Sequence, residues 1–183
     1  MSRYSIIIDR DTLRFSALHW VKYRPAVISM EPDGGISIQH DDTVVEPLHG
    51  HTFRAKLTIS GELDEFGCVM DFVLAEQIMV KILQQFEHKI LVPAHAPDLT
   101  LRQDGAQIQI GELNREWVFP ANDVKLLPVK NVSTETIAEI ILAEFVAVVQ
   151  KNNILPSPFS DDQFVLTLEE ESGMYARIAY RAT

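Results

Sequence analysis

Leu48-His49-Gly50-His51-Thr52-Phe53, running on into Arg54-Ala55-Lys56-Leu57-Thr58-Ile59, decides how this chain is read. The stretch alternates, which is the period of a β-strand, and side chains two positions apart leave a strand on the same face. His49 and His51 can therefore hold one metal ion between them. Upstream, Leu13-Arg14-Phe15-Ser16-Ala17-Leu18-His19 alternates too, and its mostly apolar odd-numbered residues share a face with His19. If the two runs pair antiparallel, three imidazoles converge. Three neutral nitrogen ligands leave one of zinc's usual four positions open, the pattern of a catalytic centre rather than a closed structural one. Strand histidines also sit in solvent or hydrogen-bond in a core, and spacing alone does not separate these readings.

A chain of 183 residues, 46% of them hydrophobic, suits one well-buried domain spanning 1–183. The net charge of -10, with no Lys/Arg cluster, argues against nucleic acid and anionic membrane surfaces as partners. An anionic small substrate would need a local basic pocket. Cys68 is the only cysteine, so no intrachain disulfide is expected. The start, Met1-Ser2-Arg3-Tyr4 before a short Ile6-Ile7-Ile8 run, lacks a signal-peptide apolar region, and a cytoplasmic protein is expected. The apolar run Ile137 to Val149 is interrupted by Glu139 and Glu144 and is too short to cross a bilayer.

Residues 3 to 9 and 12 to 20 read as β around a polar Asp9-Arg10-Asp11 turn. Arg24 to Thr43, with Gly34-Gly35, reads as a loop over the site holding a short hairpin. The next strand runs from about His51 to Gly61 and ends in Glu62-Leu63-Asp64-Glu65. Asp71 offers a cap to a helix whose stripe is Ala75, Ile78, Met79, Ile82, Leu83 and Phe86, ending near Glu87-His88. Residues 93 to 128 hold four of the nine prolines and read as an irregular insert with a small hairpin around Gln107-Ile110. Ser133 can cap a second helix, Glu135 suits the positive end of its dipole, and Ile137, Ile140, Ile141, Phe145 and Val148 supply its stripe up to Asn152-Asn153. Gln163 to Glu169 and Met174 to Arg181 form final strands around Ser172-Gly173. The order predicts an α+β domain: an antiparallel four-stranded sheet, two helices on one face, and the insert.

Five segments in order, Phe15-Ser16-Ala17-Leu18-His19, Leu48 to Phe53, Gly67-Cys68-Val69-Met70-Asp71-Phe72, Glu87-His88-Lys89 and Ser133-Thr134-Glu135-Thr136, resemble the 6-pyruvoyltetrahydropterin synthase and 6-carboxytetrahydropterin synthase family. The resemblance spans most of the chain. It implies the T-fold, whose sheets associate edge to edge into barrels, so a homo-oligomer (trimer or hexamer) is expected. It also implies Zn2+ held by His19, His49 and His51, where it polarises the side-chain hydroxyls of dihydroneopterin triphosphate.

In the usual members the base is a cysteine four residues before the first histidine of His-Gly-His. Val45 stands there, followed by Glu46. This resembles a subgroup in which a glutamate three residues before the motif replaces the cysteine, so Glu46 is the candidate base. Desolvation raises a carboxyl's proton affinity and a nearby cation lowers it, and the two effects compete at Glu46. Glu87-His88 stands where the family has Asp-His, making His88 the candidate proton shuttle and Glu87 its orienting partner. Glu169 resembles the family's pterin-anchoring glutamate, which grips the ring's guanidine-like edge with two parallel hydrogen bonds, with Val165 and Thr167 sharing its face. Glu170 and Glu171 read as ordinary solvated residues. Thr134 and Glu135 resemble the second pterin-contacting segment. Cys68 reads as a small buried hydrophobe rather than a nucleophile, and His40 and His95 receive no role.

The resemblance implies a zinc-dependent lyase acting on 7,8-dihydroneopterin triphosphate. With Glu46 in place of the cysteine, the first expectation is 6-hydroxymethyl-7,8-dihydropterin, a folate precursor. The alternatives are 6-carboxy-5,6,7,8-tetrahydropterin synthase of queuosine synthesis, 6-pyruvoyltetrahydropterin synthase, or, in another class, an inactive pterin-binding paralogue.

Overall fold

The computed structural model describes residues 4–156 and 163–180. β1 (Tyr4–Ile8) and β2 (Arg14–His19) lead into short β3 (Lys22–Tyr23), the hairpin β4 (Ala26–Met30) and β5 (Ile36–His40), β6 (Val44–Val45) and the long β7 (His49–Gly61). After α1 (Phe72–Leu83) come β8 (Lys89–Pro93), β9 (Leu99–Asp104), β10 (Gln107–Glu112), β11 (Arg115–Pro120), a 3-10 turn (Ala121–Asp123) and β12 (Val124–Leu127). α2 (Thr134–Lys151), β13 (Phe164–Glu171) and β14 (Met174–Ala179) complete the order. The expected β ends at Arg3 and Arg181 lie outside the described residues.

Among the described residues the main sheet has seven strands, ordered β12-β8-β2-β7-β13-β14, with β1 also on β7. Thirteen residues make β7 long enough for β2 to pair with His49–Arg54 and β1 with Leu57–Gly61 along the same edge. The class is α+β as expected, but the sheet is mixed and larger than four antiparallel strands. β8 runs parallel to both β2 and β12. Its Ile90-Leu91-Val92 is buried throughout, so it lacks the alternation that marks a half-exposed strand.

Both helices lie on the face carrying Phe15, Phe53, Leu57, Leu166 and Leu168, all within one core cluster with Met79, Phe86, Ile141 and Phe145. Phe15 and Phe53 stack with ring centroids 4.9 Å apart. Asp71 caps α1 as expected, its side chain accepting from the Val73 and Leu74 N–H groups at 2.7 and 3.2 Å. α1 closes at Leu83, earlier than expected, and tight turns carry the chain on to His88. On α2 the buried stripe includes Ala138, Leu142, Val146 and Val149 beside Ile137, Ile141 and Phe145, whereas Ile140 and Val148 sit at its margin.

The stretch 93–128 is more regular than its prolines imply. β9, β10 and β11 form a three-stranded antiparallel sheet, whose Ile108 and Ile110 pack with Trp20, Val45, Ile90 and Val92 in a second core cluster. Ile90 and Val92 alternate with Leu91 of the helix-side core, so the insert covers the opposite face of β8. The expected hairpin in 24–43 is also present, with Gly34 at φ +84° in its turn.

Candidate metal centre and active site

The antiparallel pairing of β2 with β7 sets His19 directly opposite His49 and Ala17 opposite His51. All three histidines thus stand on the helix-covered face, at the end of the sheet where the apolar side chains run out. Their ligand nitrogens lie within 4.8 Å of one another. Bonds of about 2.0–2.1 Å to a tetrahedral ion bring nitrogens to roughly 3.4 Å, a closure that small ring rotations supply.

The neighbouring backbone sets the tautomers. His19 Nδ1 is 2.8 Å from the Val132 carbonyl, and His49 Nδ1 is 2.9 Å from the Pro47 carbonyl. A carbonyl only accepts, so each Nδ1 carries a proton and Nε2 is the nitrogen left for the centre, as a lone pair toward a cation or, at His19 in the metal-free chain, as an N–H toward Glu170. His19 Nε2 is buried without an aligned hydrogen-bond partner, although Glu170 Oε1 lies 3.0 Å away. An unsatisfied buried nitrogen facing two other imidazoles fits a divalent metal. Burial, reinforced by His19 and His49 and opposed by Glu170 and Glu171, pushes the proton affinity of His51 down. That keeps a neutral ring available to a cation at neutral pH.

Glu46 joins this cluster. Its Oε2 is 4.0 Å from His49 Nε2, and it lines a cavity of about 560 Å³ with Tyr23, His49, His51, Glu170 and Met174. Thr134 is buried at the α2 N-terminus, close enough to the Glu170 side chain to favour its charged form. Contact with His19, assisted by Thr134 and against the opposing effect of burial, holds the Glu170 carboxyl down to about 2.

Glu170 is therefore not an ordinary solvated residue. Phe164, Leu166 and Leu168 face the core, the register of β13 against β14 slips between Glu169 and Glu171, and Glu170 at that bulge turns its carboxylate to the histidines, 3.0 Å from His19 Nε2. A carboxylate on the apolar parity of its strand was the signal for it. Glu169, the residue picked out by sequence, pairs with Arg54 on β7 and Tyr175 on β14 and so shares the opposite face. Its Oε1 accepts from the Gly173 N–H at 2.9 Å. Glu135 is exposed on the first turn of α2. Glu171, although exposed, reaches within 3.8 Å of His51 Nδ1.

Glu87 and His88 form their own pair, with His88 Nε2 3.0 Å from Glu87 Oε1. Glu87 Oε2 accepts from the Ser16 N–H at 2.7 Å, and the His88 N–H donates to the Ser16 carbonyl at 2.7 Å. Those bonds hold His88 at φ +56°, a left-handed conformation uncommon outside glycine. The ring is aimed into solvent, 81% exposed. Glu87 lines a separate cavity with Arg14, Ser16 and Thr52, so one chain does not bring this pair to the metal centre.

Cys68 is exposed rather than buried. It sits in a turn closed by Asp64, whose Oδ1 accepts from the Cys68 N–H at 2.8 Å, and lines a cavity with Tyr4 and Phe72 instead of the histidine cavity. Among the described residues no helix is long and apolar enough to cross a membrane.

Residues 10–156 match the protein family described as 6-pyruvoyl tetrahydropterin synthase. A curated Methanocaldococcus jannaschii protein named "Putative 6-carboxy-5,6,7,8-tetrahydropterin synthase" is 27% identical over 92 residues, 50% of this chain and 56% of that protein. The chain spans about half the length of the curated relatives it matches first. The crystal structure of 6-pyruvoyl tetrahydropterin synthase from Plasmodium vivax superposes with a TM-score of 0.79, 19% identity and full coverage of both chains. A form of that enzyme described as a catalytic residue mutant, glutamate to alanine, gives 0.78 at 19% identity, again over both whole chains. At such identity the likeness speaks for the fold, that of the T-fold structures.

Proposed function

The chain belongs to the 6-pyruvoyl tetrahydropterin synthase family, and from that premise we propose that it is a zinc-dependent lyase acting on 7,8-dihydroneopterin triphosphate. The observation that carries this reading is the convergence of one ring nitrogen from each of His19, His49 and His51 beside a cavity lined by the Glu46 and Glu170 carboxylates. Bound zinc supplies Lewis-acid polarisation of the substrate's side-chain hydroxyls. His19, His49 and His51 hold it, with two tautomers already set by the Val132 and Pro47 carbonyls. Glu46 takes the proton from the side-chain carbon beside the ring, since among the residues lining this cavity there is no thiol. The glutamate named as catalytic in the Plasmodium vivax protein supports a carboxylate in that role.

Glu170, rather than Glu169, receives the guanidine-like edge of the pterin in this reading. It faces the metal centre, is ionised far below neutral pH, and is braced by Thr134. Two parallel hydrogen bonds from the ring need such a carboxylate acceptor. Glu135 and Glu169 do not line the histidine cavity and have no part in this reading. Because Glu87 opens into a different cavity and the His88 ring points into solvent, the role proposed for this pair at the metal centre requires a second copy of the chain, a homo-oligomer.

For the product, the name carried by the curated relatives supports 6-carboxy-5,6,7,8-tetrahydropterin, ahead of the 6-hydroxymethyl-7,8-dihydropterin expected from sequence. The second reading is favoured by one observation, Glu46 in the place of the cysteine. Incubating zinc-loaded protein with dihydroneopterin triphosphate and identifying the pterin by chromatography and mass separates them. Tight pterin binding with no new product over hours would replace both with the inactive paralogue.

A further inference from the structure

One turn of the insert holds backbone and side chains next to the histidine cluster. β10 and β11 are joined at Glu112-Leu113-Asn114-Arg115, with Leu113 at φ +52°. Glu112 is only 2% exposed. Its Oε2 accepts from the Trp20 indole N–H at 2.7 Å, and its Oε1 lies 3.2 Å from Lys22 Nζ, which also reaches Asp98 at 3.1 Å. Trp20 directly follows the ligand His19, and its ring stacks on Trp117 of β11 at 4.5 Å. Three residues beyond Glu112, Arg115 Nε donates to the Val45 carbonyl at 3.1 Å.

That carbonyl belongs to the peptide joining Val45 to Glu46. The other end of the same peptide, the Glu46 N–H, donates to the Val21 carbonyl at 3.0 Å. Pro47 follows, and a residue before proline is confined to extended conformations. The peptide plane is thus held on both sides and the backbone of Glu46 restricted, which together fix the direction in which its side chain leaves. A half-exposed loop residue would otherwise swing its carboxylate through several rotamers, and catalysis is sensitive to displacements of about 1 Å.

We propose that the Glu112–Arg115 turn is a positioning clasp for the metal centre. Arg115 aims the Glu46 carboxylate, while Glu112 anchors the strand end that carries His19. The clasp rests on the reading of Glu46 as the base, and the experiment separates the two claims. Full-length, zinc-loaded Arg115→Ala should lose about 10-fold or more in kcat, with KM within about 2-fold. Zinc content should stay stoichiometric. Hydrogen exchange should rise in the peptide covering 43–48 and stay unchanged over α2, a readout independent of turnover. Added guanidinium ion should recover part of the lost kcat in Arg115→Ala and none in Glu46→Gln. Arg115→Ala with wild-type kcat, beside an inactive Glu46→Gln, overturns the clasp and leaves the base standing. Loss of zinc or faster exchange throughout the chain assigns Arg115 a structural role and overturns the clasp as well. A fully active Glu46→Gln removes the base and the clasp together.

Discussion

Replacing Glu170 by glutamine in chelator-treated, metal-free protein isolates the electrostatics of the cluster from zinc binding. The fold holds this carboxyl at about 2 against an ordinary value of 4.5, chiefly through His19. At about 1.4 kcal/mol for each tenfold in proton affinity the ceiling is roughly 3 kcal/mol. The Glu170 side chain is 27% exposed, so solvent screening reduces this to about 1–3 kcal/mol. A carboxyl whose proton affinity is lower in the folded state stabilises the fold fully above its unfolded value. The contribution drains away as pH falls from 4.5 toward 2, below which both states are protonated. Urea unfolding followed by circular dichroism, from about pH 7 down to about pH 3, should therefore show a gap between wild type and Glu170→Gln that is constant at neutral pH and narrows below about 4.5. A gap that keeps its size or widens toward pH 3 would refute the His19–Glu170 argument.

Alanine at His49, a third exposed and so the ligand whose loss disturbs the core least, should abolish stoichiometric zinc by elemental analysis, whereas alanine at exposed His40 or His95 should leave it intact. Glu46→Gln keeps size and some hydrogen bonding but cannot accept a proton at neutral pH, so kcat should fall by about 100-fold or more with zinc content unchanged. Cys68→Ala should stay within about 2-fold of wild-type turnover; activity lost there and kept in Glu46→Gln would move the base elsewhere. Asp71→Ala removes the α1 cap and should cost about 1 kcal/mol in urea unfolding without changing zinc content.

The histidine cluster was legible because a two-residue period and one assumed antiparallel pairing suffice to bring His19, His49 and His51 together, and the register His19 opposite His49 delivers that pairing. The helices were legible from their stripes and from Asp71. β8 was not, since Ile90-Leu91-Val92 is buried on both faces and carries no period. Nor was the Glu112–Arg115 contact with Trp20 and Val45, because contacts across 70 to 92 positions leave no local trace. The choice between Glu169 and Glu170 shows how fine the margin is. Three consecutive glutamates end β13, and a resemblance in sequence does not tell which of them lies against the histidines. One residue decides the face of the sheet, and the decision belongs to Phe164, Leu166 and Leu168. Burying those three side chains against the helices is worth several kcal/mol, far more than any preference of one surface glutamate over the next. The core thus fixes the register of β13 up to Leu168, and the bulge between Glu169 and Glu171 leaves Glu170 against His19 while Glu169 stays paired between Arg54 and Tyr175.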